Sequence, residues 1–139
     1  MSKVSIVLAV YNEQLTIERV LDAVQRAPLP AGCEREIIAV DDGSTDGTND
    51  ILSRTQGIIF IRLAKNRGKG AALHEGFSRA TGDYVVIQDA DLEYDSTDYP
   101  ALLAPLLRGE ADAVYGTRFG AHSHVPRFSL HHLANRLLT

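Results

Sequence analysis

The run Glu36-Ile37-Ile38-Ala39-Val40-Asp41-Asp42-Gly43-Ser44-Thr45-Asp46 decides the fold class, because a short apolar stretch gives way at once to a polar turn. Residues 36–41 are mostly β-branched and apolar, which predicts a buried strand. The turn that follows supplies hydroxyl and carboxylate groups that can cap a helix, which we expect to end near Arg54. The run therefore predicts a strand, a polar turn and a helix in immediate succession.

The same alternation extends along the chain in both directions. The pattern predicts further strands at residues 3–9, 58–63, 83–88 and 111–115, and further helices at residues 14–26, 71–80 and 97–107. Parallel strands separated by helices require crossover connections, and these are right-handed in nearly all proteins. We therefore predict an α/β fold with a mostly parallel sheet and alternating helices.

Length and composition indicate an ordinary globular protein. The chain has 139 residues, of which 45% are hydrophobic and 23% charged, values that argue against a disordered chain, a collagen or a coiled coil. No apolar run reaches about 18 residues, so we predict no membrane span. The first apolar run ends at Tyr11-Asn12-Glu13 rather than at small residues, which argues against a signal peptide. The single Cys33 forms no internal disulfide and fits a reducing, cytoplasmic compartment.

Charge is unevenly distributed along the chain. The formal net charge is −4, yet residues 118–139 contain three arginines, four of the five histidines and no acidic residue. The acidic remainder argues against a nucleic-acid partner. The basic end is either an ordinary solvated segment or a surface for an anion or an anionic membrane, which would place the protein at the cytoplasmic face of that membrane.

Polar clusters follow four of the predicted strands. Ligands of open α/β sheets bind outside the carboxyl ends of the strands, so we expect these clusters to converge at one edge of the sheet. The clusters are Tyr11-Asn12-Glu13, Asp41-Asp42, Asn66-Arg67-Gly68-Lys69-Gly70 and Asp89-Ala90-Asp91.

The two aspartates of Asp89-Ala90-Asp91 predict a divalent-cation site. If the strand continues, both side chains point the same way, and two like charges at close range favour a cation between them. Oxygen ligands suit Mg²⁺ or Mn²⁺, and Glu93 is a candidate additional ligand. The glycine and the ligand spacing of a calcium-binding EF-hand loop are absent from this segment.

The segment Asn66-Arg67-Gly68-Lys69-Gly70 is glycine-rich but lacks the Walker spacing, and no G-x-G-x-x-G follows the first strand. These absences disfavour a P-loop or a dinucleotide-binding fold. The segment is either a tight turn into a helix or a loop that presents amide groups and Lys69 to an anion.

Five segments taken together resemble glycosyltransferase family 2. The similarity is to the branch of dolichyl-phosphate mannose synthases and bacterial polyprenyl-phosphate sugar transferases, and it extends from Lys3 to about Arg118. In chain order the segments are Tyr11-Asn12-Glu13, Val40-Asp41-Asp42-Gly43-Ser44-Thr45-Asp46, Asn66-Arg67-Gly68-Lys69-Gly70-Ala71-Ala72, Asp89-Ala90-Asp91-Leu92 and Tyr115-Gly116-Thr117-Arg118.

The resemblance implies a GT-A fold and inverting, metal-dependent transfer of a sugar, mannose or glucose, from a GDP- or UDP-sugar in cell-envelope glycan biosynthesis. It implies catalytic roles for Asp89 and Asp91 and a metal ion, Mg²⁺ or Mn²⁺, on Asp91 and Glu93. The nucleotide-sugar-binding residues implied in this way are Ala9, Tyr11, Glu13, Val40, Asp42, Lys69, Asp89, Ala90, Asp91 and Arg118. Many relatives carry Pro at the position of Ala9 and Gln at that of Glu93.

The predicted organisation is a catalytic core at residues 1–118 and a basic, histidine-rich amphipathic tail at residues 119–139. Family domains extend beyond this length, so the chain resembles a truncated member. The apolar stripe Leu130, Leu133, Leu137 and Leu138 predicts a helix that lies on a membrane or packs on protein. No Asp or Glu follows Arg118. This favours either an acceptor that needs no general base, such as a polyprenyl or dolichyl phosphate, or a segment that is missing from the chain.

Two other classes of function remain compatible with the sequence. One is a non-catalytic module that binds a nucleotide sugar. The other is a nucleotidyltransferase, which is disfavoured because Ala9-Val10-Tyr11-Asn12-Glu13 stands where such enzymes usually have a glycine-rich loop.

Overall fold

The computed structural model of the protein describes residues 1–91 and 95–116. The chain divides into two compact units, Met1–Pro100 and Ala101–Thr139. The first unit contains, in chain order, the elements β1 (Ser2–Val10), α1 (Ile17–Arg26), β2 (Cys33–Asp41), α2 (Thr48–Arg54), β3 (Ile59–Arg62), α3 (Lys69–Arg79), β4 (Tyr84–Ile87) and a 3-10 turn (Ser96–Asp98).

The described strands form one four-stranded sheet in the order β3-β2-β1-β4. Every pair is parallel: Ile6 lies opposite Ile37 and Val86, and Ile38 lies opposite Ile59. Helices connect successive strands, so the predicted α/β fold with a mostly parallel sheet is confirmed. The reversal of strand order between β1 and β4 creates the crevice at which ligands of such sheets bind.

The core is built around β1, one of the two described strands with partners on both sides. Five of its side chains, those of Val4, Ile6, Val7, Leu8 and Val10, are fully buried, as expected for a strand between covered faces. Burial of each such side chain contributes about 1.5–3 kcal/mol to folding.

Helix α3 packs unusually closely on this sheet. It joins a buried cluster in which Ala72 and Leu73 meet Val7 and Val40. The approach is possible because Gly76 has no side chain: a Cβ there would lie 2.4 Å from Cγ1 of Val7. The glycine therefore sets the distance between α3 and the central strand.

The polar turn after β2 begins α2 as its sequence predicts. The Asp46 carboxylate accepts a hydrogen bond of 2.9 Å from the backbone N–H of Thr48, the first residue of the helix. Burial alone would raise the pKa of Asp46, but this bond and others from Thr48 and Gln14 hold it below its ordinary value. The turn therefore supplies the negative charge that a helix start favours.

A second network ties the loop before β4 to the neighbouring strands. The Glu36 carboxylate accepts hydrogen bonds from the Ser5 hydroxyl at 2.5 Å, the Thr81 backbone N–H at 2.9 Å and the Thr81 hydroxyl at 2.6 Å. Burial raises the pKa of Glu36, but these bonds and the charge of Lys3 outweigh it and hold the pKa below its usual value. The ionised carboxylate therefore stabilises this junction.

The predicted fifth strand is wrong. Residues 111–115 have no strand structure, and only Ala111 and Val114 among them are even half-buried. The segment has just two strand-favouring side chains, Val114 and Tyr115, so it carries no continuous apolar face that would hold it against a sheet.

Helix α4 (Tyr99–Leu107) crosses the unit boundary and is followed by Gly109, whose φ is +69°. None of the helices in the described ranges is both long enough and apolar enough to cross a membrane.

Candidate functional site

A cleft of about 310 Å³ opens at the carboxyl ends of the strands, entirely within the first unit. The segments after β1, β2, β3 and β4 all contribute to it, which confirms the expected convergence of the polar clusters. Its lining residues are Ala9, Val10, Tyr11, Glu13, Asp42, Asn66, Gly68, Lys69, Asp89, Ala90 and Asp91.

The wall after β1 is held by hydrogen bonds from the turn after β2. Asn12 adopts a left-handed backbone with φ of +52° and donates its N–H to the Ser44 hydroxyl at 2.9 Å. The Asn12 side-chain oxygen accepts the Thr45 N–H at 2.8 Å, and Glu13 donates its N–H to the Thr48 hydroxyl at 2.9 Å. These contacts fix the position of Glu13 before any ligand binds.

Asp41, the last residue of β2, and Asp42, which follows it, have different surroundings. Asp41 is fully buried, and its Oδ1 accepts the Ser44 N–H at 3.0 Å. Asp42 lines the cleft, and its two carboxylate oxygens accept the backbone N–H groups of Arg67 at 2.8 Å and Gly68 at 2.9 Å. Asp42 therefore joins the loop after β2 to the loop that precedes α3.

Glycines make this junction possible. Gly43 has a φ of +72°, and a Cβ there would lie 2.4 Å from the carbonyl carbon of Lys65. Gly68 has a φ of +95°, a conformation that places its N–H toward Asp42 and that other residues rarely adopt. The two loops thus approach each other closely because Gly43 carries no side chain, whereas Gly68 contributes the backbone conformation.

The acidic segment after β4 is a bend rather than a continued strand. The strand ends at Ile87, and Ala90 and Asp91 form the bend, so strand alternation does not set the direction of the Asp91 side chain. Both Asp89 and Asp91 nevertheless line the cleft. The Lys69 ammonium forms an ion pair with Oδ1 of Asp89 across the cleft, with 60% and 24% of the two side chains exposed.

Buried polar groups support this bend from behind. The Tyr99 hydroxyl donates to Oε1 of Gln88 at 2.6 Å, and the Gln88 amide donates to the backbone oxygen of Asp89 at 3.2 Å. Burial raises the pKa of the Tyr99 hydroxyl, so it stays protonated and remains a donor. The Thr16 hydroxyl reaches the backbone oxygen of Ala90 at 3.2 Å. We will call residues 88–91 the acidic bend.

The structure places most of the residues implicated by the sequence around this one cleft. Val40 is different: it is fully buried in the core and does not line the cleft. Arg118 and Glu93 lie outside the described residues, as does the tail at 119–139. Val10 also lines the cleft, although its apolar side chain gave no signal for a site in the sequence. Asn66 and Gly68 line it as well, and they were expected there only as parts of the glycine-rich segment after β3.

The cleft offers oxygen ligands to a metal ion. Within residues 1–91 and 95–116, no three His, Cys, Asp or Glu side chains are grouped closely enough to hold an ion by themselves. Mg²⁺ commonly binds through one or two carboxylates together with phosphate oxygens of a substrate. Asp89 and Asp91 fit that pattern, in which a phosphate-bearing ligand would supply the remaining oxygen atoms.

The parallel sheet and the acidic cleft at its carboxyl edge define the class, an α/β protein with a ligand site at the point where strand order reverses. Residues 5–138 match the family described as Glycosyl transferase family 2. The chain belongs to that family, and its sheet and helices are those of a GT-A glycosyltransferase.

Solved structures support the same assignment. A mannosyltransferase from Pyrobaculum calidifontis, PcManGT in complex with GDP-Man and Mn²⁺, is 33% identical, with a TM-score of 0.64, and the match covers 78% of this chain and 32% of that one. Glucosyl-3-phosphoglycerate synthase from Mycobacterium tuberculosis, in complex with Mn²⁺, UDP and glucosyl-3-phosphoglycerate, is 34% identical, with a TM-score of 0.64. That match covers 78% of this chain and 41% of the synthase chain.

A third similar structure is S. aureus TarS 1-349 in complex with UDP-GlcNAc, at 28% identity and a TM-score of 0.58. The match covers 64% of this chain and 26% of that one. The chain therefore spans well under half the length of each of these three structures. All three hold a nucleotide or nucleotide sugar, and two of them also hold Mn²⁺.

Proposed function

We propose that the cleft binds a nucleotide-sugar donor together with Mg²⁺ or Mn²⁺, and that the protein is an inverting glycosyltransferase that uses a GDP- or UDP-sugar. One observation carries the proposal: in a chain of family 2, Glu13, Asp42, Lys69, Asp89 and Asp91 line a single cleft. The nucleotides and Mn²⁺ in the similar structures support it. Mannose and glucose are the sugars we propose, since two of those structures concern a mannosyl- and a glucosyl-transfer enzyme.

At the nucleoside end, Asp42 binds the nucleotide base in our proposal. Tyr11, Glu13 and the backbone of Ala9 make the other contacts with the nucleoside. Asp42 has the capacity for this role, because a carboxylate offers about four lone-pair positions and two backbone N–H groups occupy only two of them. The N–H groups of guanine or uracil would be donors to the remaining positions. Val40, in the core beneath, supports the strand that presents Asp42.

At the diphosphate end, we assign Asp89, Ala90 and Asp91, with Glu93 and Arg118 as further residues toward the metal and the diphosphate. A metal ion bound here would offset the negative charge that develops on the leaving diphosphate. Lys69 already places an ammonium group beside Asp89. A diphosphate offers this ammonium a second anionic partner, which makes Lys69 a phosphate-binding residue in our proposal.

For the acceptor, a polyprenyl or dolichyl phosphate stays a prediction. A phosphate monoester is already anionic near neutral pH and needs no base to attack the anomeric carbon. One similar structure of the M. tuberculosis synthase contains UDP and phosphoglyceric acid, a phosphate-bearing molecule with no lipid chain. Assays of sugar transfer to dolichyl phosphate and to 3-phosphoglycerate therefore test whether a lipid phosphate or a water-soluble compound is the acceptor. Membrane contact through residues 119–139 and a cytoplasmic location also stay predictions.

Calorimetric titration of GDP and UDP, with and without Mn²⁺, tests the donor site. We expect one nucleotide to bind in a metal-dependent way, and Asp91→Asn to weaken that binding by at least about tenfold. The matched control is Asp22→Asn, which removes an exposed ion pair with Arg26 on α1 and should leave binding unchanged. A folded protein that binds neither nucleotide contradicts the proposal. Binding without turnover of the sugar donor would instead indicate a non-catalytic module.

A further inference from the structure

Thr16 stands at a helix start but does not cap the helix. It is the N-cap residue of α1, yet its side chain forms no capping hydrogen bond. A threonine at this position usually accepts a hydrogen bond from a backbone N–H in the first turn. The start of α1 is instead held by the Glu13 backbone oxygen, which accepts the N–H of Thr16 at 3.1 Å and that of Ile17 at 2.9 Å. The hydroxyl of Thr16 is therefore available for another role.

That hydroxyl lies between two walls of the cleft. Its oxygen is 3.0 Å from Oε2 of Glu13, in the loop after β1, and 3.2 Å from the backbone oxygen of Ala90, in the acidic bend. Glu13 and Ala90 both line the cleft. The Thr16 hydroxyl is thus within hydrogen-bonding distance of both sides of the cleft. One side is the segment that we assign to the nucleoside, and the other is the acidic bend, which we assign to the metal and the diphosphate.

A hydroxyl has a single proton, and here two acceptors lie closer to it than the Glu13 backbone oxygen, which is 3.5 Å away. While Glu13 has no ligand, its carboxylate competes with the Ala90 oxygen for that proton. A ligand hydroxyl or N–H that donates to Glu13 reduces the competition, and the Thr16 proton then goes to the Ala90 oxygen. Ala90 lies between Asp89 and Asp91, so this bond fixes the backbone that carries both carboxylates.

We propose that Thr16 is a positioning residue. When a ligand binds to Glu13, the Thr16 hydroxyl donates to the Ala90 oxygen and thereby fixes the geometry of the acidic bend. The inference rests on the proposed function, in which the cleft takes a metal nucleoside diphosphate. It assigns to Thr16 a role in donor binding that acts through Glu13 and Ala90 rather than through contact with the donor.

The first test compares Thr16→Val, which keeps the shape but removes the hydroxyl, with Thr16→Ser, which keeps the hydroxyl. The matched control is Thr55→Val, which removes a hydroxyl that donates to the Ile51 backbone oxygen at 2.8 Å, at the end of α2. Calorimetry with Mn²⁺ and GDP or UDP should show binding about tenfold weaker in Thr16→Val. We expect near-normal binding in Thr16→Ser and Thr55→Val.

Stability measurements separate positioning from folding. Each valine variant loses the one hydrogen bond that its hydroxyl donates, so urea unfolding should show similar, small losses in each, and only Thr16→Val should lose affinity. Thr16→Ala provides a second removal of the hydroxyl should valine disturb the fold. Equal affinity in the wild type and Thr16→Val overturns the inference while leaving the donor site intact, and so does equal weakening in Thr16→Ser and Thr16→Val.

A second readout follows the acidic bend itself, in the ligand-bound protein. The Asp91 backbone N–H belongs to the same peptide group as the Ala90 oxygen. With saturating Mg²⁺ and GDP or UDP, loss of the hydrogen bond to that oxygen should shift the Asp91 amide resonance in NMR spectra of Thr16→Val relative to the wild type, while Thr55→Val leaves it in place. An unshifted Asp91 resonance overturns the inference. If the wild type binds no nucleoside diphosphate, the proposed function and the inference fall together.

Discussion

At the scale of the residue, Asp42 has a structural task in addition to its proposed role toward the base. Its two oxygens accept the N–H groups of Arg67 and Gly68. Asp42→Asn replaces one acceptor with an NH₂ group that faces a backbone donor. We therefore expect a loss of about 1–3 kcal/mol in the free energy of unfolding, measured by urea denaturation.

The control for Asp42→Asn is again Asp22→Asn, whose exposed i,i+4 ion pair contributes at most about 0.5 kcal/mol. Amide exchange at Arg67 and Gly68 should accelerate in Asp42→Asn alone. If stability and exchange are both unchanged, the carboxylate does not hold this loop, and any loss of nucleotide binding would then report on the base contact directly.

Glu36 leads to a prediction about pH. Because hydrogen bonds hold its pKa in the folded protein below the ordinary value, the carboxylate adds stability at neutral pH. That contribution is lost as pH falls through the lowered folded-state pKa. Glu36→Gln should cost about 1 kcal/mol at pH 7 and much less at about pH 3, measured as the urea midpoint at each pH.

The matched control for Glu36→Gln is Glu34→Gln, on the same strand at an exposed position. It should change stability little at either pH. A cost for Glu36→Gln that is the same at pH 7 and pH 3 would show that the loss of an acceptor oxygen, and not the loss of the charge, destabilises the variant.

The sequence predicted which carboxylates line the cleft, but not the hydrogen bonds that fix the loops carrying them. Asp42 and Asp89 each follow a predicted strand, so the topology alone brings them together. The bonds from Arg67 to Asp42 and from Thr16 to Ala90 join residues far apart in the chain. Such pairings depend on the distance between loops, which hydrophobic periodicity does not specify. For this reason Thr16 resembles an ordinary helix cap in the sequence.

At the scale of the element, Gly76 decides how closely α3 packs on the sheet. Alanine is the better helix former by about 1 kcal/mol, but a Cβ at this position would lie 2.4 Å from Val7 Cγ1 and 3.4 Å from Val40 Cγ2. We expect the clash to prevail and Gly76→Ala to destabilise the protein by about 1–3 kcal/mol, measured by thermal or urea unfolding.

The same helix provides the control. Gly70 lies in the first turn of α3, and a Cβ there has no atom within 4 Å. Gly70→Ala should therefore stabilise the protein, by up to about 1 kcal/mol. The two glycine-to-alanine changes are thus expected to change stability in opposite directions. Stabilisation by both would show that helix propensity, and not the α3–sheet distance, governs both.

The contrast between β4 and residues 111–115 shows which elements a pattern can predict. In β4, Tyr84-Val85-Val86-Ile87 is entirely strand-favouring, and the parallel pairing with β1 confirms it. Residues 111–115 offer only Val114 and Tyr115 in an acidic, alanine-containing context. A strand is stabilised by its partner more than by its own preference, so a marginal segment is not predictable without knowing what lies beside it.

At the scale of the whole molecule, the sheet order predicts how stability is distributed. Strand β1 has partners on both sides and a buried interior. Strand β3 is four residues long, is exposed at both ends and, among the described strands, pairs with β2 alone. Amides of Ile6, Val7 and Leu8 should exchange only by global unfolding. Those of β3 should exchange by smaller openings at lower free energy.

Native-state hydrogen exchange by NMR measures this difference, and urea unfolding supplies the global free energy for comparison, expected at about 5–15 kcal/mol for a domain of this kind. The β1 values should equal the urea value, and the β3 values should be clearly smaller. Equal protection in the two strands would mean that the sheet opens as one unit.

The proposed donor site adds a further expectation, because Asp42 joins the end of β2 to the loop that follows β3. A bound metal nucleotide should therefore slow exchange at Arg67 and Gly68 more than at the already well-protected amides of β1.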